Sequence, residues 1–334
     1  MAKIIGQDVE VALTKESVRG IVATAQSTDW IARGTLEVTP VKEIVEIMVN
    51  EGRITTRREI KAVHFENEIT ITMPMDRKHV GKYLMAFFGS VATQTATPQA
   101  STNTHTYAIL DTGYVPSYTV TVLYGGEQYQ YALGVASNVK VELTTDAEPK
   151  LSVTFLTKKH TTTTGLTPSY PANSYFSPID TQVYSTLTYA GIGDGNEVSI
   201  REASIEYTRD VKKMKYLGSD TYENAIGADF DVKAHIVKDF DEETWASGDT
   251  TFAHEDYLAN TTRALRVKLT DTATTIGAST NPTITFDIPS AKFTEYKTSP
   301  ELKEIVGEEY DVMPFDDGTN DVSIVTLIND ITAY

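Results

Sequence analysis

Histidine and carboxylate are the side chains best placed to do chemistry here, because the chain contains no cysteine. Cysteine nucleophiles, disulfides and thiolate zinc sites all drop out together. The six histidines, His64, His79, His105, His160, His235 and His254, are scattered singly. None stands four residues from another, the spacing that puts two imidazoles on one helical face for zinc. His235 alternates with Lys233 and reads as a residue on the polar face of a strand. Asp239, Asp241 and Glu243 match the first spacing of a calcium loop. Thr244 then stands where that loop requires Gly, and Thr250 where it requires Glu. Gly191-Ile192-Gly193-Asp194-Gly195 has the glycines of a phosphate-binding turn but not the Lys-Ser/Thr or the following helix. The cluster from Asp316 to Asp321 reads as a turn with solvated carboxylates. No Gly-x-Ser-x-Gly elbow occurs. Carboxylates set for glycoside hydrolysis would meet only in the fold, and no segment singles out a pair. The sequence therefore nominates no catalytic residue, no cofactor and no metal.

The elements available to position a site are strands. In Glu68-Ile69-Thr70-Ile71-Thr72-Met73, apolar residues take one face and polar residues the other. Val139, Val141 and Leu143 alternate in the same way, as do Leu151, Val153 and Phe155. Each pattern predicts a strand buried on one face, the habit of antiparallel sheets. Tyr124-Gly125-Gly126-Glu127 predicts a hairpin turn between Tyr118–Leu123 and Gln128–Leu133. One helix is expected between an Asp76 N-cap and Gly89, with Val80, Leu84, Phe87 and Phe88 on its apolar stripe. Weaker helical signals follow Asp241 through Trp245 and from Phe252 to Leu258.

Length and charge set further bounds. At 334 residues there is room for two domains, each with its own core. With 40% hydrophobic and 22% charged residues, wholesale disorder is excluded. The net charge is −17, which disfavours ordinary binding to nucleic-acid phosphates. Nearly all of it lies in the second half: residues 161–334 carry 13 Lys+Arg against 29 Asp+Glu, residues 1–160 carry 16 against 17. The start lacks an apolar signal stretch, and the longest apolar run, Tyr83 to Phe88, falls far short of the roughly 20 residues of a membrane span. The expectation is a soluble, unexported chain.

The halves repeat in layout. Phe65 to Gly89 reads as strand then capped helix, and Phe230 to Asn260 repeats the order. Pro116–Val122 lies opposite Arg263–Leu269, and Tyr129–Phe155 opposite Ile284–Met313. This predicts either a tandem duplication or two unrelated β domains. The Thr-, Ser- and Pro-rich stretch between them reads as linker. Segments are expected at 1–30 (N-terminal arm), 31–160 (first domain), 161–182 (linker) and 183–334 (second domain). Glu43 to Lys61 mixes apolar and charged residues over an unusual length. It is either a long two-stranded arm seeking a partner or a segment folded back on its own domain.

Several segments in order carry a resemblance. They are Ile5-Gly6-Gln7-Asp8-Val9-Glu10-Val11-Ala12-Leu13-Thr14-Lys15-Glu16 leading to Trp30-Ile31, then Leu84–Gly89, then His105-Thr106-Tyr107 ahead of Pro116-Ser117. Tyr131-Ala132-Leu133-Gly134, Phe155–Lys159, Thr262–Arg266 and Lys292–Glu295 follow. Together they resemble the major tail tube proteins of long-tailed, siphovirus-like phages. The resemblance implies a mainly β fold of tandem tube domains, each two antiparallel sheets packed as a sandwich or barrel with a flanking helix. It implies a structural virion protein and not an enzyme, forming stacked rings with a central channel for genome passage. Two domains per chain would give a trimeric ring with pseudo-sixfold symmetry; one would give a hexamer. The partners implied are copies of itself and the tape-measure and tail terminator proteins, with DNA passing unbound and no membrane. The location implied is the virion tail, with the host cytoplasm during assembly. By position, the hairpin that reaches a neighbouring ring is Glu43 to Lys61, with Glu46, Ile47, Met48, Arg53, Ile54, Arg57 and Arg58 as contact candidates, and Arg209 to Tyr222 as a second copy. The alternative is a surface β-sandwich adhesin or carbohydrate-binding module, whose sugar stacking the 18 tyrosines would suit. The missing export signal and cysteines argue against it.

Overall fold

The computed structural model describes residues 8–32, 34–48, 57–110, 112–170, 173–193, 197–239, 254–299 and 306–334. The first part of the chain forms β1 (Val9–Lys15), β2 (Trp30–Ile31), β3 (Thr35–Met48), β4 (Arg57–Pro74), α1 (Val80–Phe88), β5 (Gly89–Thr95) and β6 (Asn103–Ile109). It continues through β7 (Tyr118–Tyr124), β8 (Glu127–Thr144), β9 (Ala147–Lys158) and β10 (Thr161–Thr163). The second part forms β11 (Thr181–Thr186), β12 (Glu202–Met214), β13 (Asn224–Asp239), α2 (His254–Ala259) and β14 (Arg263–Thr270). It ends with β15 (Thr283–Ser299), β16 (Gly307–Pro314) and β17 (Ile324–Asn329).

Burial follows the alternation in the sequence. Ile69, Ile71 and Met73 of β4 are buried, while Thr70 and Thr72 face away and meet Thr154 and Ser152 of β9 at 3.0 and 2.8 Å. The apolar faces belong to two layers of antiparallel strands. One is a long sheet in the order β3-β4-β9-β8-β12-β13-β16-β15. The other consists of two smaller groups, β2-β1-β7-β8-β10 and β11-β14-β15-β17-β6-β5. Strands β8 and β15 serve both layers, and such a strand changes sheets where its ladder is interrupted. In β8 the corner is Leu133, whose φ of 54° is costly for a branched side chain. The Glu16 carboxylate holds it by accepting from the Leu133 N–H (2.7 Å), the Gly20 N–H (2.6 Å), Ser117 Oγ (2.5 Å) and Thr119 Oγ1 (3.0 Å). In β15 the corner lies between Ile288 and Ala291 and contains Pro289, which has no N–H to lose.

The pairing of the first part recurs in the second. The ladders β1–β7, β3–β4, β4–β9, β7–β8 and β8–β9 have counterparts β11–β14, β12–β13, β13–β16, β14–β15 and β15–β16. Their irregularities recur as well. The register of β8 shifts between Ala136 and Asn138, and that of β15 between Phe293 and Glu295. Strand β7 shifts between Tyr118 and Val120, and β14 between Arg263 and Leu265. These bulges set Tyr118, not Pro116, against Arg263, two residues away from the match that the sequence suggests. Among the described residues, the β5–β6 hairpin has no counterpart before β14. It crosses to extend the second group of strands through β17, a pairing with no local signal in the sequence.

Helix α1 ends at Gly89 in the left-handed conformation (φ 83°), as the sequence requires, and buries Val80, Leu84, Phe87 and Phe88. Its N-cap position is occupied by His79 and not by Asp76. Asp76 shapes the preceding turn, accepting from the Lys78 N–H at 2.8 Å, the His79 N–H at 2.5 Å and His79 Nδ1 at 2.8 Å. Burial opposes its charge, but the bonds from His79 prevail and hold its carboxyl below the usual carboxylate range. The helical signal from Asp241 to Trp245 lies outside the described residues. The stretch between the halves is docked: Phe176 is buried, its N–H donates to Met75 O at 3.0 Å, and Ser174 Oγ donates to Asp271 at 2.5 Å.

Candidate assembly interface

The long sheet is continuous because β8 and β12 pair directly, from Glu202 opposite Thr144 to Thr208 opposite Asn138. Helix α1 lies beneath that joint. Phe88 packs edge-on against Tyr207 at 5.3 Å, and Phe87 lies 6.0 Å from Phe230 of β13. Arg209 is 5% exposed, with its guanidinium 5.4 Å from the Phe87 ring. Burial depresses the Arg209 pKa and raises that of the Tyr207 hydroxyl. The result is one apolar core running through both parts, from Val11 to Leu327, where the chain length allows two.

Among the described residues, the ends of this sheet are open: β3 pairs only with β4, and β15 from Lys292 onward pairs only with β16. Folded proteins usually cover or blunt so long an edge, because its N–H and C=O groups can template another strand. Pro40, which cannot donate, sits in β3, where an edge tolerates it.

The hairpin β3–β4 extends past the sheet and pairs Glu46 with Ile60, Ile47 with Glu59 and Met48 with Arg57. Glu46 and Ile47 are half-buried, and Ile44, Val45 and Ile60 beside them are exposed. Arg57 and Arg58 open β4, while Arg53 and Ile54 lie outside the described residues. The hairpin β12–β13 lies against its base. Lys215 pairs with Glu43, Lys213 reaches Glu66 at 2.6 Å, and the Phe65 N–H donates to Asp220 O at 2.8 Å. Tyr216 and Leu217 project from the tip of this second hairpin, with Leu217 fully exposed. In the sequence, 209–222 stands out only as a positional counterpart of the first hairpin. An exposed Tyr-Leu pair before Gly218 was the signal available.

The face of the long sheet away from the core is polar and open. Shallow grooves on it are lined by Lys140, Glu142, Glu206, Lys233, His235 and Asp311. Both signs of charge interleave, with Lys140 2.6 Å from Glu142 and His235 Nδ1 2.7 Å from Asp311. No group of three His, Asp or Glu able to hold a metal occurs among the described residues.

Two sheet edges without a described partner and a projecting hairpin are surfaces suited to pairing with further copies of the chain. The phage tail tube protein family matches residues 6–312, and the chain belongs to that family. It is a structural protein of the virion tail that assembles with itself into a tube. No curated protein matches the chain.

Proposed function

We propose that three copies of this chain close into a ring with pseudo-sixfold symmetry, and that stacked rings form the channel through which the genome leaves. The observation carrying this is the β8–β12 joint: it unites edge to edge two parts with the same ladder pattern, and among the described residues it leaves an unpaired edge at each end. Repeating that joint between subunits satisfies both edges, and closure at pseudo-sixfold then takes three chains. The polar sheet face lines the channel, offering phosphate a wall of mixed sign within a subunit of net charge −17. DNA slides past this wall unbound. The tape-measure protein occupies the channel during assembly in the host cytoplasm, and a tail terminator caps the last ring. Averaged electron micrographs of the purified, assembled protein should show a central hole with threefold modulation. Sixfold averages would replace the trimer by a hexamer, and protein that never leaves the monomeric state would end the reading.

The β3–β4 hairpin, with Glu46, Ile47, Met48, Arg53, Ile54, Arg57 and Arg58, reaches the next ring in this arrangement. It runs along the tube axis, and Ile44, Val45 and Ile60 near its base need cover. Deleting residues 46–58 should leave folded subunits whose rings do not stack. Tubes of ordinary length from that deletion would remove the hairpin from the contact.

A further inference from the structure

We propose that the ring closes by pairing β3 of one subunit with β15 of the next in the register that β12 and β8 use within the chain. Val38 then stands opposite Thr298, Thr39 opposite Lys297, Pro40 opposite Tyr296 and Val41 opposite Glu295. This rests on the ring reading above and specifies its contact residue by residue.

The register follows from the ladders and not from sequence likeness. Asn138 opposite Thr154 is the first pair after the bulge in β8, and Glu295 opposite Asp311 is the first after the bulge in β15. Asn138 and Glu295 are therefore equivalent, as are Thr154 and Asp311. Thr154 pairs onward with Thr70 and then Glu37, while Asp311 pairs onward with His235 and then Ser204. Glu37 and Ser204 are thus equivalent too. A second observation gives the same answer. The Gly34 N–H donates to Thr72 O and the Arg201 N–H donates to Val237 O, both at 2.8 Å, and both lie three residues before that pair. Within the chain, Glu206 faces Lys140 and Thr208 faces Asn138. Their equivalents are Thr39 with Lys297, and Val41 with Glu295.

The chemistry of the open edges suits this pairing. The Phe65 N–H points away from β3, so Glu66, Glu68 and Thr70 direct their amides toward it. By alternation, β3 turns the backbone of Leu36, Val38 and Pro40 outward. Val38 can exchange two hydrogen bonds with Thr298, whereas Pro40 only accepts. That missing donor is one of the devices that keep an edge from indiscriminate pairing. On the core side, Leu36 and Val38 remain half-buried, while their equivalents Ala203 and Ile205 are 4% and 2% exposed beneath the β8–β12 joint. Subunit pairing would bury Leu36 and Val38 in the same way. On the polar side, Lys297 lies diagonal to Glu37, within reach of a long side chain.

Because the chain has no cysteine, an engineered pair reports alone. Thr39, Val41, Glu295 and Lys297 are all exposed, so replacing them should not disturb the fold. Thr39→Cys with Lys297→Cys, and Val41→Cys with Glu295→Cys, are in register at non-hydrogen-bonded positions. There the Cα atoms approach to about 4.5 Å, within disulfide reach. Thr39→Cys with Glu295→Cys is two residues out of register, at about 7–8 Å. After oxidation of assembled tubes, both in-register pairs should convert most chains to covalent dimers and trimers on a non-reducing gel. The offset pair should remain largely monomeric. Cross-linking of the offset pair in preference to the others would overturn the register. Rings visible by microscopy with neither in-register pair cross-linked would overturn the β3–β15 joint and leave the ring reading standing. A ladder continuing to six chains would uphold the joint and overturn the threefold count.

Discussion

Lys238→Met alone should destabilise the subunit by about 3–5 kcal/mol, the usual cost of removing one partner from a buried ion pair. Lys238 Nζ lies 3.1 Å from Glu308 Oε2, and both side chains are 3% exposed. Glu308 also accepts from the hydroxyls of Tyr296 at 2.9 Å and Tyr310 at 3.0 Å. Taking the cation away leaves the Glu308 carboxylate in the core without its buried countercharge, beside the two tyrosine hydroxyls. The molecule contains its own control. The ladder-equivalent residues in the first part are Met73 and Leu151, which pair across β4 and β9 as Lys238 and Glu308 pair across β13 and β16. Lys238→Met with Glu308→Leu should therefore recover most of the loss, since a well-packed apolar pair commonly equals or exceeds a buried ion pair. A residue of about 1–3 kcal/mol should remain, because the buried Tyr310 hydroxyl loses its acceptor. Adding Tyr310→Phe, which removes the hydroxyl and keeps the buried ring packed on Phe293 and Tyr296, should remove it. Urea denaturation of unassembled subunits measures each step. A double variant no more stable than the single would show that the site depends on the charges themselves.

Phe88→Ala should cost a similar amount, about 3–5 kcal/mol for a buried aromatic ring. The ring is 0% exposed and touches Phe87, Tyr107 and Tyr207 at centroid distances of 5.6, 6.5 and 5.3 Å. Its location makes the effect specific. Helix α1 comes from the first part of the chain and Tyr207 from the second, so the cavity opens under the joint itself. Phe155, equally buried, faces Tyr83 within the first part. Amide exchange along the β8–β12 ladder should accelerate more in Phe88→Ala than in Phe155→Ala at matched loss of global stability. Equal acceleration in both would mean that α1 does not brace the joint.

Much of the fold is legible in the residues. The stripe of Val80, Leu84, Phe87 and Phe88 foretells a buried helical face, and Gly89 its end. Alternation foretells which residues of β4, β8 and β9 point inward. Asp76 misleads, because an acceptor shortly before a helix can bind the amides two and three residues on and so cap a turn as readily as the helix itself. Lys238 misleads for another reason. It falls in step with Ala234 and Ile236 on the buried face, and its distant partner Glu308 gives no local sign of itself. The alignment of the two parts slips by two residues because strands alternate with period two, and a shift of two leaves that pattern unchanged.

By itself, the sequence determined a cysteine-free, acidic chain of half-buried strands, an arm-like segment at Glu43 to Lys61, and an ordered resemblance to tail tube proteins. Side chains carry those properties, so they can be read residue by residue. Only the tertiary structure decided that β8 joins β12, that β5 and β6 cross to β17, and that β3 and β15 keep open edges among the described residues. Strand partners are chosen by backbone N–H and C=O groups that are nearly the same at every residue. An edge therefore has no signature in the sequence; it is what remains when every other strand has found its neighbour.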